Sequence, residues 1–386
     1  MPVFDSAEFD NFRSSDIQEF HSSLEAYRPT PLLYLPSLAD SLGVREVLVK
    51  DESHRLELNA FKVLGASYAI YRFVKREWEK RFKESFEIRC LFDGRAREAL
   101  GEITFCTATD GNHGRAVAWM AARTNQPAVI YVPDNTVQSR VQSIADEGAT
   151  VIAVNGSYDD AVQRTAIDAR GSGWQVISDT AYPGYVEIPA WVMAGYTTMF
   201  REIEVMLAGR DEPPFDLVFV QSGVGSLAAA ATWYYVSQYG EHRPKLISVE
   251  PTDADCLLGS ARSTDGRMRS TRSQQNSIMA GLNCGTPSVV AWPIIKQGID
   301  LFISISDRHC EEAVRRYYYP TGDDPRIVSG ESGAAGLAGL LALDKENAFA
   351  GVGEKLGIGA DSRILLINTE GATDPVSFQE IIDREV

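Results

Sequence analysis

An α/β fold built on mainly parallel sheet is what the sequence predicts, on three observations. From Val47 onward, short β-branched runs alternate with segments of helical periodicity, the pattern of βαβ units. Many of those runs are apolar at consecutive positions, as strands are when helices cover both faces of their sheet. At 386 residues the chain is long enough for two domains, or for one domain with a substantial lobe.

Taken in order, the expected strands are Val47–Lys50, Ile103–Thr107, Ala128–Val132, Thr150–Val154, Gln175–Ser178, Leu217–Gln221, Leu246–Glu250 and Ile364–Asn368. Between them, Val137–Glu147 and Tyr158–Arg170 carry apolar residues at three- and four-residue spacing, which makes them crossover helices. Further helical runs are expected over Phe61–Arg72, over Arg115–Arg123 and from Leu227. No repeat, low-complexity block or Gly/Ser linker marks a boundary. The region from about Ala69 to Pro189 has its own alternating strands and helices, so it reads as a lobe inserted between an N-terminal segment and a second α/β region. A ligand held by such lobes belongs at the carboxyl ends of the strands.

Composition narrows the function. Hydrophobic residues make up 44% and charged residues 23%, ordinary values for a globular chain. A net charge of -16 argues against a nucleic-acid partner, which needs a concentrated basic face. The Lys- and Arg-rich stretch Lys75–Arg97 has interleaved acids and reads as a solvated helix and loop. Cys90, Cys106, Cys256, Cys284 and Cys310 form no CxxC pair and no metal-ligand spacing with the histidines, so reduced thiols and no metal are expected. The acidic opening MPVFDSAEFD has no basic n-region or apolar h-region, and no apolar run approaches the ~20 residues of a membrane span. The expected location is the cytoplasm.

Four phrases carry chemistry. Ser222-Gly-Val-Gly-Ser226 follows a buried strand and opens an apolar helix, so backbone N–H groups and the helix dipole suit a phosphate there. The phrase lacks the Gly-Lys-Ser/Thr of an ATP-type loop, and by itself it is equally a plain strand-to-helix turn. Lys62 stands among Phe61, Val63 and Leu64, where desolvation lowers an amine pKa and favours imine chemistry, although a lone lysine there is usually a snorkelling cation. Thr109-Asp-Gly-Asn-His-Gly114 puts a carboxylate, a carboxamide and an imidazole on one strand-to-helix turn, where a simple cap is the ordinary explanation. Asn368-Thr-Glu-Gly371 repeats the arrangement after the last strand.

In order along the chain, these phrases resemble the fold-type II pyridoxal 5'-phosphate (PLP) enzymes. That family includes serine and threonine dehydratases, cysteine synthase and the tryptophan synthase β chain. Within it the phrases more closely resemble the diaminopropionate ammonia-lyases. The residues that carry it are Thr30-Pro-Leu, Lys50-Asp-Glu-Ser, Leu58-Asn-Ala-Phe-Lys-Val-Leu-Gly, Ala108-Thr-Asp-Gly-Asn-His-Gly-Arg, Ser178-Asp-Thr-Ala-Tyr, Gln221-Ser-Gly-Val-Gly-Ser, Met279-Ala-Gly-Leu, Ser329-Gly-Glu-Ser-Gly-Ala and Asn368-Thr-Glu-Gly-Ala-Thr-Asp-Pro. The resemblance implies two open, mainly parallel twisted sheets covered by helices, with the cofactor in the cleft between the lobes. It implies a large cofactor-binding domain over residues 1–69 and 190–386 and a smaller inserted domain over 70–189.

The same resemblance implies the roles. Lys62 holds PLP as a Schiff base, Asn112 hydrogen-bonds its 3'-oxygen, and Gly223, Val224, Gly225, Ser226 and Leu227 hold its phosphate. Asn368 or Thr369 faces the pyridine nitrogen. Asp110 separates the ammonia-lyases from the dehydratases, which usually have a small neutral residue there. As a base or as the partner of a second ammonium, Asp110 suits 2,3-diaminopropionate, and with Lys62 it supplies a base for each stereoisomer. Tyr158 and Asp179 match residues that line the substrate site. Cys256 and Cys284 fall near its entrance, and a disulfide there needs Cα atoms within ~7 Å. The implied activity is elimination of ammonia to give pyruvate, in a homodimer. The alternatives are a serine/threonine dehydratase-like or β-replacement enzyme, and, outside catalysis, a PLP or amino-acid binding protein.

Overall fold

The computed structural model describes Phe12 and residues 16–109, 111–209 and 215–384. Its described residues contain ten strands: β1 (Leu32–Tyr34), β2 (Glu46–Asp51), β3 (Phe105–Ala108), β4 (Ala128–Pro133), β5 (Thr150–Val154), β6 (Gln175–Val176), β7 (Leu217–Gln221), β8 (Lys245–Pro251), β9 (Leu301–Ile305) and β10 (Arg363–Asn368). They form two sheets, and the chain divides into two compact units with one sheet each.

The first unit holds Pro29–Ala60 and the chain from Met199 onward. Its sheet has the order β1-β2-β10-β7-β8-β9, parallel throughout except for antiparallel β1 against β2. The runs β2, β7, β8 and β10 are buried almost residue for residue, as their unbroken apolar pattern requires. The helix Glu331–Lys345 packs on this sheet through Ala334, Ala335, Leu337 and Ala338, all wholly buried. Adjacent parallel strands bring Asp51, Asn368 and Gln221 to the carboxyl ends of β2, β10 and β7, with Asn368 in register with Asp51.

The second unit holds Phe61–Thr198 together with the described residues up to Arg28. Its sheet has the order β5-β4-β3-β6, all parallel. Because β3 and β6 are parallel neighbours, the chain leaving β3 at Thr109 and the segment after β6 (Ile177–Asp179) start from the same end of the sheet. The helix Lys62–Phe82 lies wholly in this unit, so the lysine falls outside the 70–189 span expected for the smaller lobe.

The eight expected strands are present, with β3 beginning at Phe105 and β6 reduced to two residues. β6 is an edge strand with one neighbour, and the chain leaves it after a last ladder bond from Ile177 N to Cys106 O at 2.8 Å. Two strands were not anticipated. β1 has three residues, too few for any period, and β9 reads LFISI with only Ile303 and Ile305 buried, at the far edge of its sheet. No helix of the described residues is long and apolar enough to cross a membrane.

Candidate active site

In the second unit, Lys62 is the first residue of the helix Lys62–Phe82, and its ammonium forms an ion pair with Asp179. The amine also stands 5.7 Å from the centroid of the Phe61 ring. Asp179 comes from the segment after β6, which Tyr185 clamps: its hydroxyl accepts from Ser178 N and donates to Val176 O, both at 2.9 Å. Tyr158, at the start of the helix Tyr158–Ser172, aims its hydroxyl at the other carboxylate oxygen of Asp179 from 3.5 Å. Burial pushes the Asp179 carboxyl up, but the Lys62 ammonium beside it holds it at about 2. Asp179 is therefore an anion fixed next to an amine.

Asn112 and His113 begin the helix Asn112–Arg123, which Thr109 caps by accepting from Gly111 N at 2.9 Å and Gly114 N at 3.0 Å. Asn112 is half-buried at the first position. His113 Nε2 lies 2.8 Å from the carbonyl of Ile177. A carbonyl can only accept, so Nε2 carries the proton and Nδ1 is a bare lone pair. That Nδ1 is buried and has no hydrogen-bond partner among the described residues. Burial lowers the His113 pKa, an effect that nearby Asp179 only partly opposes, so the ring is neutral. Asp110 lies outside the described residues.

In the first unit, the turn after β7 is held by Ser222 N donating to Val249 O at 2.8 Å and by Ser288 N donating to Val224 O at 2.9 Å. Gly225 has φ +97° and caps the helix Ser226–Tyr239. A Cβ at Gly225 would lie 2.5 Å from Ile295 Cδ1, and one at Gly223 would lie 2.9 Å from Cys284 Sγ. The turn thus presents bare backbone at the start of a helix, where the first N–H groups have no intrahelical acceptor. A phosphate fits this cradle by charge and by donor type. The Cys256 thiol reaches the same turn, donating to Gly223 O at 3.7 Å.

At the end of β10 the two candidates differ. Asn368 is wholly buried and committed at both side-chain atoms: Oδ1 accepts from Ser329 Oγ and Nδ2 donates to Asp51 Oδ1, each at 2.8 Å. Thr369 Oγ1 accepts from Gln221 Nε2 at 3.0 Å and retains its own O–H to donate. The Gln221 amide orientation is dictated by its other acceptors, the carbonyls of Ile367, Gly333 and Ser332 at 2.9, 3.0 and 3.1 Å. The structure therefore gathers Lys62, Tyr158 and Asp179 in one unit, and Thr369 beside Gln221 at the strand ends of the other. Gln221 carried no assigned role in the sequence, because its partners lie between 111 and 148 residues away.

A lysine paired with a carboxylate at the head of a helix, and a glycine cradle for an anion after a parallel strand, are what an aldehyde cofactor with a phosphate tail requires. Residues 24–369 match the family model described as pyridoxal-phosphate dependent enzyme. The chain belongs to that family, whose cofactor is PLP, and it has the fold-type II architecture. Among curated proteins it is 40% identical to the diaminopropionate ammonia-lyase of Escherichia coli K12 over 95% of this chain and 90% of the relative. It is 37% identical to the enzyme of the same name from Salmonella typhimurium, over 95% and 91%. Among solved structures, the E. coli diaminopropionate ammonia-lyase in complex with an aminoacrylate-PLP azomethine reaction intermediate superposes with a TM-score of 0.86 at 38% identity. That superposition covers 99% of this chain and 93% of the other.

Proposed function

We propose that this chain is a PLP-dependent carbon–nitrogen lyase that eliminates the β-amino group of 2,3-diaminopropionate, giving pyruvate and two molecules of ammonia. The observation that carries the reading is the buried Asp179 carboxylate beside Lys62. A substrate with a second ammonium needs an anion at that place, whereas serine or threonine does not. The ammonia-lyases to which the chain is similar, at up to 40% identity, support the same substrate.

Lys62 holds the cofactor, Asn112 contacts its 3'-oxygen and Gly223–Leu227 hold its phosphate. Thr369 rather than Asn368 faces the pyridine nitrogen, since both polar atoms of Asn368 are already engaged. When bound, PLP supplies the electron sink that makes the Cα proton acidic. Freed as a neutral amine by the incoming substrate, Lys62 takes that proton from the L isomer, and Asp110 takes it from the D isomer. Asp179 binds the β-ammonium, and Tyr158 orients the carboxylate. The electrons of the broken Cα–H bond form the Cα–Cβ double bond, and the β-nitrogen departs with the C–N pair as neutral ammonia. The enamine released into water tautomerises and hydrolyses to pyruvate and the second ammonia.

A pyruvate assay across D- and L-diaminopropionate, serine and threonine tests this. Turnover of both diaminopropionate isomers, exceeding that of the hydroxy amino acids, is expected; faster turnover of serine or threonine would assign the chain to the dehydratases. The same reading makes the protein a cytoplasmic homodimer, which light scattering and cell fractionation check.

A further inference from the structure

The wholly buried Tyr196, within the helix Glu187–Met206, has had no role so far. Its hydroxyl has no hydrogen-bond partner among the described residues. Burying an unsatisfied hydroxyl carries a desolvation penalty that phenylalanine would avoid, so its presence calls for an explanation.

Its position supplies one. The Tyr196 ring packs against the Phe61 ring at a centroid distance of 4.7 Å, and the Lys62 amine stands 5.7 Å from that same Phe61 centroid. Tyr196 Cε1, one bond from the carbon that bears the hydroxyl, lies 2.5 Å from where a Cβ on Gly65 would be. Gly65 is three residues after Lys62, on the same face of the helix. The glycine thus opens that face, and the hydroxyl-bearing edge of the ring fills the opening beside Lys62. The ionisable groups that Tyr196 feels are Lys62 and Asp179, and burial raises its pKa so that it stays a neutral phenol. A neutral phenol can both accept and donate a hydrogen bond.

As the structure stands, Lys62 is turned to Asp179. To act as a base it must leave that carboxylate and hold a neutral nitrogen with the lone pair aimed at the Cα proton. A neutral amine on a four-carbon stem rotates freely unless something grips it. We infer that Tyr196 is a positioning residue for Lys62: its hydroxyl oxygen accepts an N–H of the released amine and so turns the lone pair toward the substrate. This rests on the proposed reading, in which Lys62 serves the L isomer and Asp110 the D isomer.

Tyr196→Phe, which removes only the oxygen, tests it. The cofactor-free variant should melt within about 2 °C of wild type, or higher, because no protein hydrogen bond is lost. With PLP loaded to the same absorbance, kcat for the L isomer should fall roughly tenfold or more with KM changed less than about twofold, while the D isomer is nearly unaffected. Equal losses on both isomers, no loss on either, or a cofactor-free melt lowered by about 5 °C or more would overturn the inference. Failure of the underlying reading looks different: the wild-type protein then yields no pyruvate from diaminopropionate, or takes up no PLP.

Discussion

Two buried lysine–carboxylate pairs, one in each unit, differ in how completely they are satisfied. In the first unit, Lys50 donates to Glu202 at 2.6 Å and to the carbonyl of Thr30 at 2.7 Å. Arg55 bridges Glu202 and Glu52 through four contacts of 2.7–2.8 Å, and Thr30 Oγ1 donates to Glu52 at 2.5 Å. In the second unit, Lys62 pairs with Asp179, Tyr158 stands 3.5 Å from the carboxylate, and the buried atoms His113 Nδ1 and Tyr196 Oη have no hydrogen-bond partner among the described residues. The Lys62 side chain keeps 19% of its exposure, against 0% for Lys50. A closed network of buried charges fixes one conformation and offers nothing to a ligand. An open one keeps polar atoms in reserve, which a ligand can satisfy when it binds.

That contrast can be broken at either end. The largest effect should come from Lys62→Ala, which is expected to lose roughly a thousandfold or more in turnover. Near wild-type turnover without added amine would remove Lys62 from its role. The mirror-image experiment is Glu202→Ala, which removes the paired carboxylate from buried Lys50 and one of two from Arg55, and should cost about 3–5 kcal/mol in denaturant unfolding. A loss below about 1 kcal/mol would mean that the Lys50 network is not closed in solution. The same carboxylate gives a pH signature. Burial raises the Glu202 pKa, but Arg55 and Lys50 together bring it below its ordinary 4.5. Its stabilisation is therefore present above pH 4.5 and disappears as pH falls through the lowered folded value.

Asp179→Asn sharpens the comparison on the substrate side. It should raise KM for diaminopropionate about 10- to 100-fold and alter serine kinetics much less, because only the diamine brings a second cation. An equal change for both substrates would reduce Asp179 to a partner of Lys62 alone. With its carboxyl near 2, well under the ordinary 3.8, Asp179 keeps its charge contact until strongly acid pH. The smallest and most selective effect is that of Asp110→Asn, which should reduce turnover of the D isomer several-fold more than that of the L isomer. Matched losses would leave Asp110 with binding only.

What could be read in the sequence was local. Buried strands announced themselves as unbroken apolar runs, which is why β2, β7 and β10 fell within a residue of their observed ends, whereas three-residue β1 and the half-exposed edge strand β9 had no such signal. The phrases around Lys62 and the glycine turn, whose roles are proposed, could be picked out because their neighbours in the chain suggest the chemistry. Residues that act across the fold could not. Tyr196 lies 134 residues beyond Lys62 in a largely apolar stretch of its helix, where a tyrosine looks like packing. The tautomer of His113 is set by a carbonyl 64 residues away, and the Asn368 amide is engaged by Asp51, 317 residues before it. Each of these depends on packing or a hydrogen bond between residues distant in sequence, which periodicity does not encode.

The central claim is that Lys62, and not the more deeply buried Lys50, carries the cofactor. Borohydride reduction of the PLP-loaded protein followed by peptide mapping measures this directly. A single pyridoxyl adduct on the peptide containing Lys62 is the predicted result; an adduct on any other lysine, or none in a protein that has taken up PLP, would contradict the account.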